Sequence, residues 1–154
     1  MKLIITFLLV FAAGIAFLLV LSLQTDLPTW LDAIRLPFRC ILLGGLGGVV
    51  YCLRGVYLNA SLRKQWDPAW IPWYYIRPFV SLACGGISFL FLKAGLLLLE
   101  SKQNTDSTDL GFYALAFVAG LNVDKFITKI EDIAQATWGI EKSRTASDSS
   151  KEGK

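Results

Sequence analysis

The sequence predicts an all-α polytopic membrane helical bundle with four transmembrane helices, the last extended into the cytoplasm as an amphipathic segment. Three observations predict it. From Leu3 to Leu23 the chain runs through twenty-one residues without one charge, and similar stretches follow at Phe38–Leu58, Pro78–Leu99 and from Leu110. A helix rising about 1.5 Å per residue needs roughly 20 apolar residues to cross the hydrocarbon of a bilayer. The composition agrees: 55% of the 154 residues are hydrophobic and 18% charged, against about 25% charged in a soluble domain. Third, Trp66, Trp70, Trp73, Tyr74 and Tyr75 crowd one loop ahead of the third stretch, as amphipathic rings do at a membrane boundary.

The first span, about residues 3–23, has Lys2 as its only basic start. Its apolar core is longer than that of a secretory signal and lacks a small-x-small cleavage site, so an uncleaved anchor is expected. The linker Gln24–Pro37 is punctuated by Pro28 and Pro37. Its Trp30, Leu31, Ile34 and Leu36 suggest a short helix lying in the interface.

The second span, about 38–58, holds Gly44, Gly45, Gly47 and Gly48. Gly44 and Gly48 form a GxxxG pair, which allows helix backbones to approach closely in lipid. The third span, about 78–99, opens on Pro78, a residue suited to a first turn. Pro68 and Pro72 before it should prevent a long regular helix there. Ser81 and Gly85 make a second small-xxx-small pair.

The fourth span, about 110–130, has only fourteen uncharged residues, Leu110–Val123. Beyond them Val123, Phe126, Ile130, Ile133 and Thr137 recur at helical spacing, with Asp124, Lys125, Lys129, Glu131 and Asp132 opposite. One long helix is therefore expected, leaving the membrane near Asp124 and ending at Gly139 as C-cap. Residues 1–139 then form one membrane domain, and 140–154 a polar tail with too little to bury to be ordered.

Lys and Arg set the expected orientation. Four spans place ten of them (Lys2, Arg63, Lys64, Arg77 and six from Lys125 onward) on one side and three (Arg35, Arg39, Lys102) on the other. The positive-inside rule then puts both termini in the cytoplasm of a cell membrane.

Arg54 and Lys93 are charges inside the second and third spans. Each is a functional candidate by default, and each is long enough to snorkel to a headgroup. Tyr51 and Tyr57 flank Arg54 at i−3 and i+3, and Asn122 and Asp124 fall at similar depth. Arg54, Tyr51, Tyr57, Asn122 and Asp124 are thus a candidate polar cluster at the inner mouth of the bundle.

Catalysis is not expected. The chain contains no histidine, which removes the commonest acid–base and metal ligand. No GxSxG, HExxH or phosphate-loop motif is present. Cys40, Cys52 and Cys84 all lie in apolar runs without CxxC spacing and read as packing residues. No cofactor or metal is implied. The basic residues flank apolar runs instead of forming a face, which argues against nucleic acid. A transporter would show an inverted repeat and a midplane acid, and neither is found. The expected role is structural: a small multi-pass component that self-associates or joins a membrane complex, with lipid and other membrane helices as partners. The alternative is a small oligomeric channel, lined from Asn122, Thr128 and the neighbourhood of Arg54.

Overall fold

The computed structural model describes residues 2–23, 29–62, 68–95 and 108–140. Among the described residues five α-helices follow in order: α1 (Lys2–Leu21), α2 (Thr29–Tyr57), α3 (Ile71–Lys93), α4 (Thr108–Leu121) and α5 (Val123–Trp138). A π-helical turn, Leu58–Leu62, prolongs α2, and a 3-10 turn, Pro68–Trp70, leads into α3. Among the described residues there is no strand. Among the described residues three helical stretches, Lys2–Leu21, Ile34–Ala60 and Ile71–Lys93, are long and apolar enough to cross a membrane. A fourth crossing exists only if α4 and α5 are counted as one broken span.

The chain divides into two compact units, residues 1–122 and 123–154. In the first, α2 is the central element and packs on α1, α3 and α4, while α3 also packs on α4. Helix α1 is the outermost. Only Ile4, Leu8 and Ile15 are buried along it, and Val10, Phe17 and Val20 are more than 60% exposed. The core has two apolar clusters. One joins Ile4 and Leu8 to Val49, Cys52, Val56 and Tyr74. The other joins Cys40, Phe89 and Ala116. All three cysteines are buried thiols.

The helix boundaries depart from the sequence expectation in four places. First, α2 runs unbroken from Thr29 through Pro37, so no separate helix precedes residue 38. A proline removes one helical hydrogen bond, and a helix packed on three neighbours tolerates that loss. Second, α3 begins at Ile71, with Pro72 in its first turn and Pro78 buried in its interior. Pro72 costs little there because first-turn N–H groups have no helical partner. Trp73, Tyr74 and Tyr75 are therefore helical residues.

Third, α3 stops at Lys93. Ala94 N–H donates to Leu90 O at 2.9 Å and Gly95 N–H to Leu92 O at 3.0 Å. Gly95 takes φ +72°, the left-handed conformation that ends helices. Lys93 is thus a last-turn residue of α3, exposed, with its ammonium 5.6 Å from the Phe89 ring centroid. It is the last residue of the helix, not an interior one. Fourth, the expected long last helix is interrupted at Asn122, giving α4 of 14 residues and α5 of 16. The end of α5 is as expected: Gly139 has φ +68° and donates to Gln135 O at 3.0 Å. The tail expected to be disordered lies outside the described residues beyond Ile140.

Candidate functional site

The polar and small residues of the first unit meet at a glycine waist flanked by two arginine joints. The waist is where α2, α3 and α4 touch by backbone. A Cβ added at Gly44 would stand 2.6 Å from the Gly85 Cα and 2.6 Å from the Ser81 carbonyl oxygen. One added at Gly85 would collide with the Cys40 carbonyl, and one at Gly48 with the Ser81 side chain. On the other side of α2, a Cβ at Gly120 would run into the Gly44 carbonyl and one at Gly47 into the Phe117 carbonyl. Only glycine permits these approaches. Ser81 closes the waist: its hydroxyl is fully buried, lies 2.9 Å from Arg77 O on its own helix and donates toward Gly120 O of α4, 3.0 Å away.

The first joint is Arg77. It is 5% exposed, one turn before Ser81. Its guanidinium carbon lies 4.8 Å from the Tyr51 ring centroid and 5.1 Å from that of Trp73. Each such contact is worth about 0.5–2 kcal/mol, more as water is excluded. Trp73 in turn meets Tyr74 edge-on at 5.1 Å and Trp70 at 6.3 Å. The Tyr74 ring fits over Gly55, where a Cβ would come within 3.3 Å of its hydroxyl, and that hydroxyl accepts from Asn59 Nδ2 at 3.4 Å. The π-helical turn after α2 brings Asn59 into that position.

The second joint is Arg39, near the opposite ends of these helices. Its Nε donates to Ser22 Oγ at 3.1 Å, its Nη2 to the Ser22 carbonyl at 2.6 Å and its Nη1 to the Tyr113 hydroxyl at 3.2 Å. One side chain of α2 thereby caps α1 and reaches α4. A guanidinium suits this because its donors fan out in a fixed plane, and the C-terminal carbonyls of a helix favour a cation.

The expected site residues are distributed as follows. Gly44, Gly48, Ser81 and Gly85 meet at the α2–α3 contact. Of the candidate polar cluster, Tyr51 turns toward α3, where it packs on Trp73 and Arg77. Arg54 is exposed and Tyr57 is 59% exposed on the outer side of α2. Asn122 is half-buried at the end of α4, and Asp124 belongs to the second unit. Of the aromatic anchors, Trp66 lies outside the described residues. Trp70 is exposed at 57%, Trp73 half-buried and Tyr74 buried at 3%. Tyr75 packs on Phe7 of α1 at 4.8 Å.

Sequence reasoning missed Gly55 and Gly120 and gave Arg39 and Arg77 no part in helix packing. In sequence the two arginines read only as flanking charges, Arg39 at the start of the stretch 38–58 and Arg77 just ahead of the stretch 78–99. Gly120 had a readable signal, since Ala116 and Gly120 form a small-xxx-small pair on α4. Among the described residues no group of three or more metal-ligating side chains converges.

No family model, no curated protein and no solved structure matches this chain.

Proposed function

We propose that this chain is a structural and interaction component of a cell membrane, built to self-associate or to sit within a larger membrane complex, with both termini cytoplasmic and no catalytic role. The observation that supports this reading is how the interior polar groups are used. Ser81, Arg39, Arg77, Tyr74 and Tyr113 each bond or pack across a helix contact. Such groups are costly in hydrocarbon and are kept where they join helices or move a solute. Here they join helices. The remaining surface of α1 and α3, including Val10, Phe17, Ile76, Phe79 and Leu90, is apolar and exposed, which suits lipid or a neighbouring helix.

A pore through one chain fits poorly with three helix backbones in contact at Gly44, Gly85 and Gly120. The test has two arms. Cross-linking with mass spectrometry in native membranes should recover either a second copy or a recurrent membrane-protein neighbour. The purified chain in liposomes should pass no ions above protein-free vesicles. Sustained ion flux, or a chain with no neighbour of either kind, overturns the proposal.

A further inference from the structure

Helix α4 stops half-way along its neighbours. The crossing stretch of α2, Ile34–Ala60, has its midpoint at Gly47, and α3, Ile71–Lys93, has its midpoint at Leu82. These midpoints share one level, because Gly48 faces Ser81. Helix α1 agrees: Phe11, at its centre, meets Phe79 of α3 edge-on at 5.3 Å. At this same level α4 ends. A Cβ at Gly47 would stand 2.8 Å from the Leu121 nitrogen, and Gly120 O lies 3.0 Å from the Ser81 hydroxyl. The side of α2 that α4 covers runs on past that end. At about 100° per residue, Leu36, Leu43, Gly47, Val50 and Arg54 share an arc of about 60°. Leu36 and Leu43 border the apolar cluster that holds Ala116 of α4, whereas Val50 is 42% exposed and Arg54 is exposed.

We infer that the half-span left uncovered beyond α4 is an aqueous crevice, open on the side of the membrane that holds the N-terminus, lined by Val50 and Arg54 and ending blind at Gly47, Leu121 and Asn122. It admits water and small hydrophilic solutes. This rests on the membrane role proposed above. Three features require a polar medium there. Arg54 lies only about 10 Å beyond Gly47, inside a hydrocarbon half-thickness of about 15 Å. Asp124 is held closer still. It follows Leu121 by three residues, so at about 3.8 Å between successive Cα atoms its Cα stays within about 11 Å of that of Leu121, whichever way α5 runs. Asp124 is exposed, and unlike arginine it is too short to snorkel. Charges at such depth face water or protein, not lipid tails. The third feature is the helix break at Asn122, since irregular backbone at membrane depth is found only within protein or against a water-filled cavity. The contacts among Gly44, Gly85 and Gly120 close the inner end, so the crevice is not a pore.

The experiment uses the full chain in sealed membrane vesicles, with one cysteine added at a time and a membrane-impermeant maleimide supplied from one side or the other. Peptide mass locates the label. Val50→Cys and Phe79→Cys are matched in depth, each three residues from the midpoint of its helix toward the same side, and both native side chains are exposed, 42% and 55%. Phe79 differs in lying beside Phe11 of α1. From the side of the N-terminus, Val50→Cys and Asn122→Cys should label more than about tenfold faster than Phe79→Cys or Val10→Cys, because a thiol ionises and reacts only where water reaches it. From the opposite side neither should label. The native cysteines, buried in the parent chain, stay unlabelled in a folded variant, and two independent positions in the crevice guard against one substitution that unfolds the chain.

Labelling of Val50→Cys and Asn122→Cys no faster than that of Phe79→Cys overturns the inference and leaves the structural role standing. Equal labelling from both sides also overturns it, because water then passes the glycine waist. If Phe79→Cys and Val10→Cys label as fast as the crevice positions in a folded chain, no lipid surrounds these helices, and the inference and the membrane role fall together.

Discussion

Gly120→Ala tests the glycine waist most directly. The added methyl would stand 2.5 Å from the Gly44 carbonyl carbon and 2.7 Å from its Cα, where ordinary contact begins at 3.4 Å. Helix α4 must therefore retreat by more than the 0.9 Å that the carbonyl carbon alone requires, because the Gly44 carbonyl oxygen stands nearer still. The obstacle is backbone, so no side chain can swing aside. Overpacking of this kind costs about 1–3 kcal/mol. The retreat also stretches the 3.0 Å contact from Ser81 to Gly120 O, and hydrogen bonds between membrane helices average about 0.6 kcal/mol. Against this, alanine is the better helix former by about 1 kcal/mol. The net expectation is a loss of about 0.6–2.6 kcal/mol, read as unfolding free energy by steric trapping or denaturant titration in bicelles.

The internal control is Gly14→Ala. A Cβ there meets nothing within 4 Å. Only the propensity gain remains, so stability should be unchanged or higher by up to about 1 kcal/mol. The comparison cancels most error from host, detergent and unfolded state, because both are the same exchange on an apolar helix. If the two variants fall within about 0.5 kcal/mol of each other, the close approach of α2 and α4 is wrong. A sharper form pairs Gly120→Ala with Gly44→Ala. The two sites touch, so their costs should fall clearly short of adding, whereas Gly14→Ala should add to either.

Further outcomes follow from the two joints and the core. Arg39→Ala should destabilise the first unit by about 1.5–3 kcal/mol, the range for hydrogen bonds to a charged group, and Tyr113→Phe, which removes one of its three bonds, should reproduce only part of that loss in the same unfolding assay. Arg77→Leu should be destabilising and should enhance fluorescence changes at Trp73 on denaturation, while Arg54→Leu should leave stability within about 0.5 kcal/mol of the parent, because Arg54 is exposed. If Arg54→Leu impairs the chain and Asp124→Leu partly rescues it, the Arg54-centred cluster is restored and the outward placement of Arg54 falls. Maleimide labelling of Cys40, Cys52 and Cys84, which are 0%, 0% and 3% exposed, should be slow in the folded chain and complete after denaturation; rapid labelling of Cys52 would show that the Tyr74 cluster is open.

How much of this was legible depends on which physical signal each feature leaves. Hydropathy located the apolar helices because a run of about 20 apolar residues has few other uses. It could not fix their ends. Proline misled twice. At Pro37 and Pro78 the residue reads locally as a boundary, yet both are helix interior. What outweighs the local rule is tertiary: Pro78 is fully buried against its neighbours, and packing supplies more than the one hydrogen bond that proline removes. Gly95 is the truer stop signal, masked in sequence because Leu96–Leu99 prolong the apolar run.

Moving the start of α3 from Pro78 to Ile71 changes the chemistry of everything near it. Trp73, Tyr74 and Tyr75 cease to be a loop-borne belt, and Arg77 moves from a loop charge to a buried one. Read on a helix, Trp73, Arg77 and Ser81 share one face at i, i+4 and i+8. That face meets Tyr51 and Gly48 of α2. The same three residues in a loop have no common side and no shared partner. A helix boundary is thus itself a statement about function in a chain of this kind. Side chains within a helix contact must satisfy one another, whereas those beyond it have water. Two readings depend on boundary alone: Lys93 inside a helix, and Arg77 ahead of one. With α3 at Ile71–Lys93, Lys93 becomes an exposed last-turn residue and Arg77 a buried interior one, without any change in the residues that sequence could name.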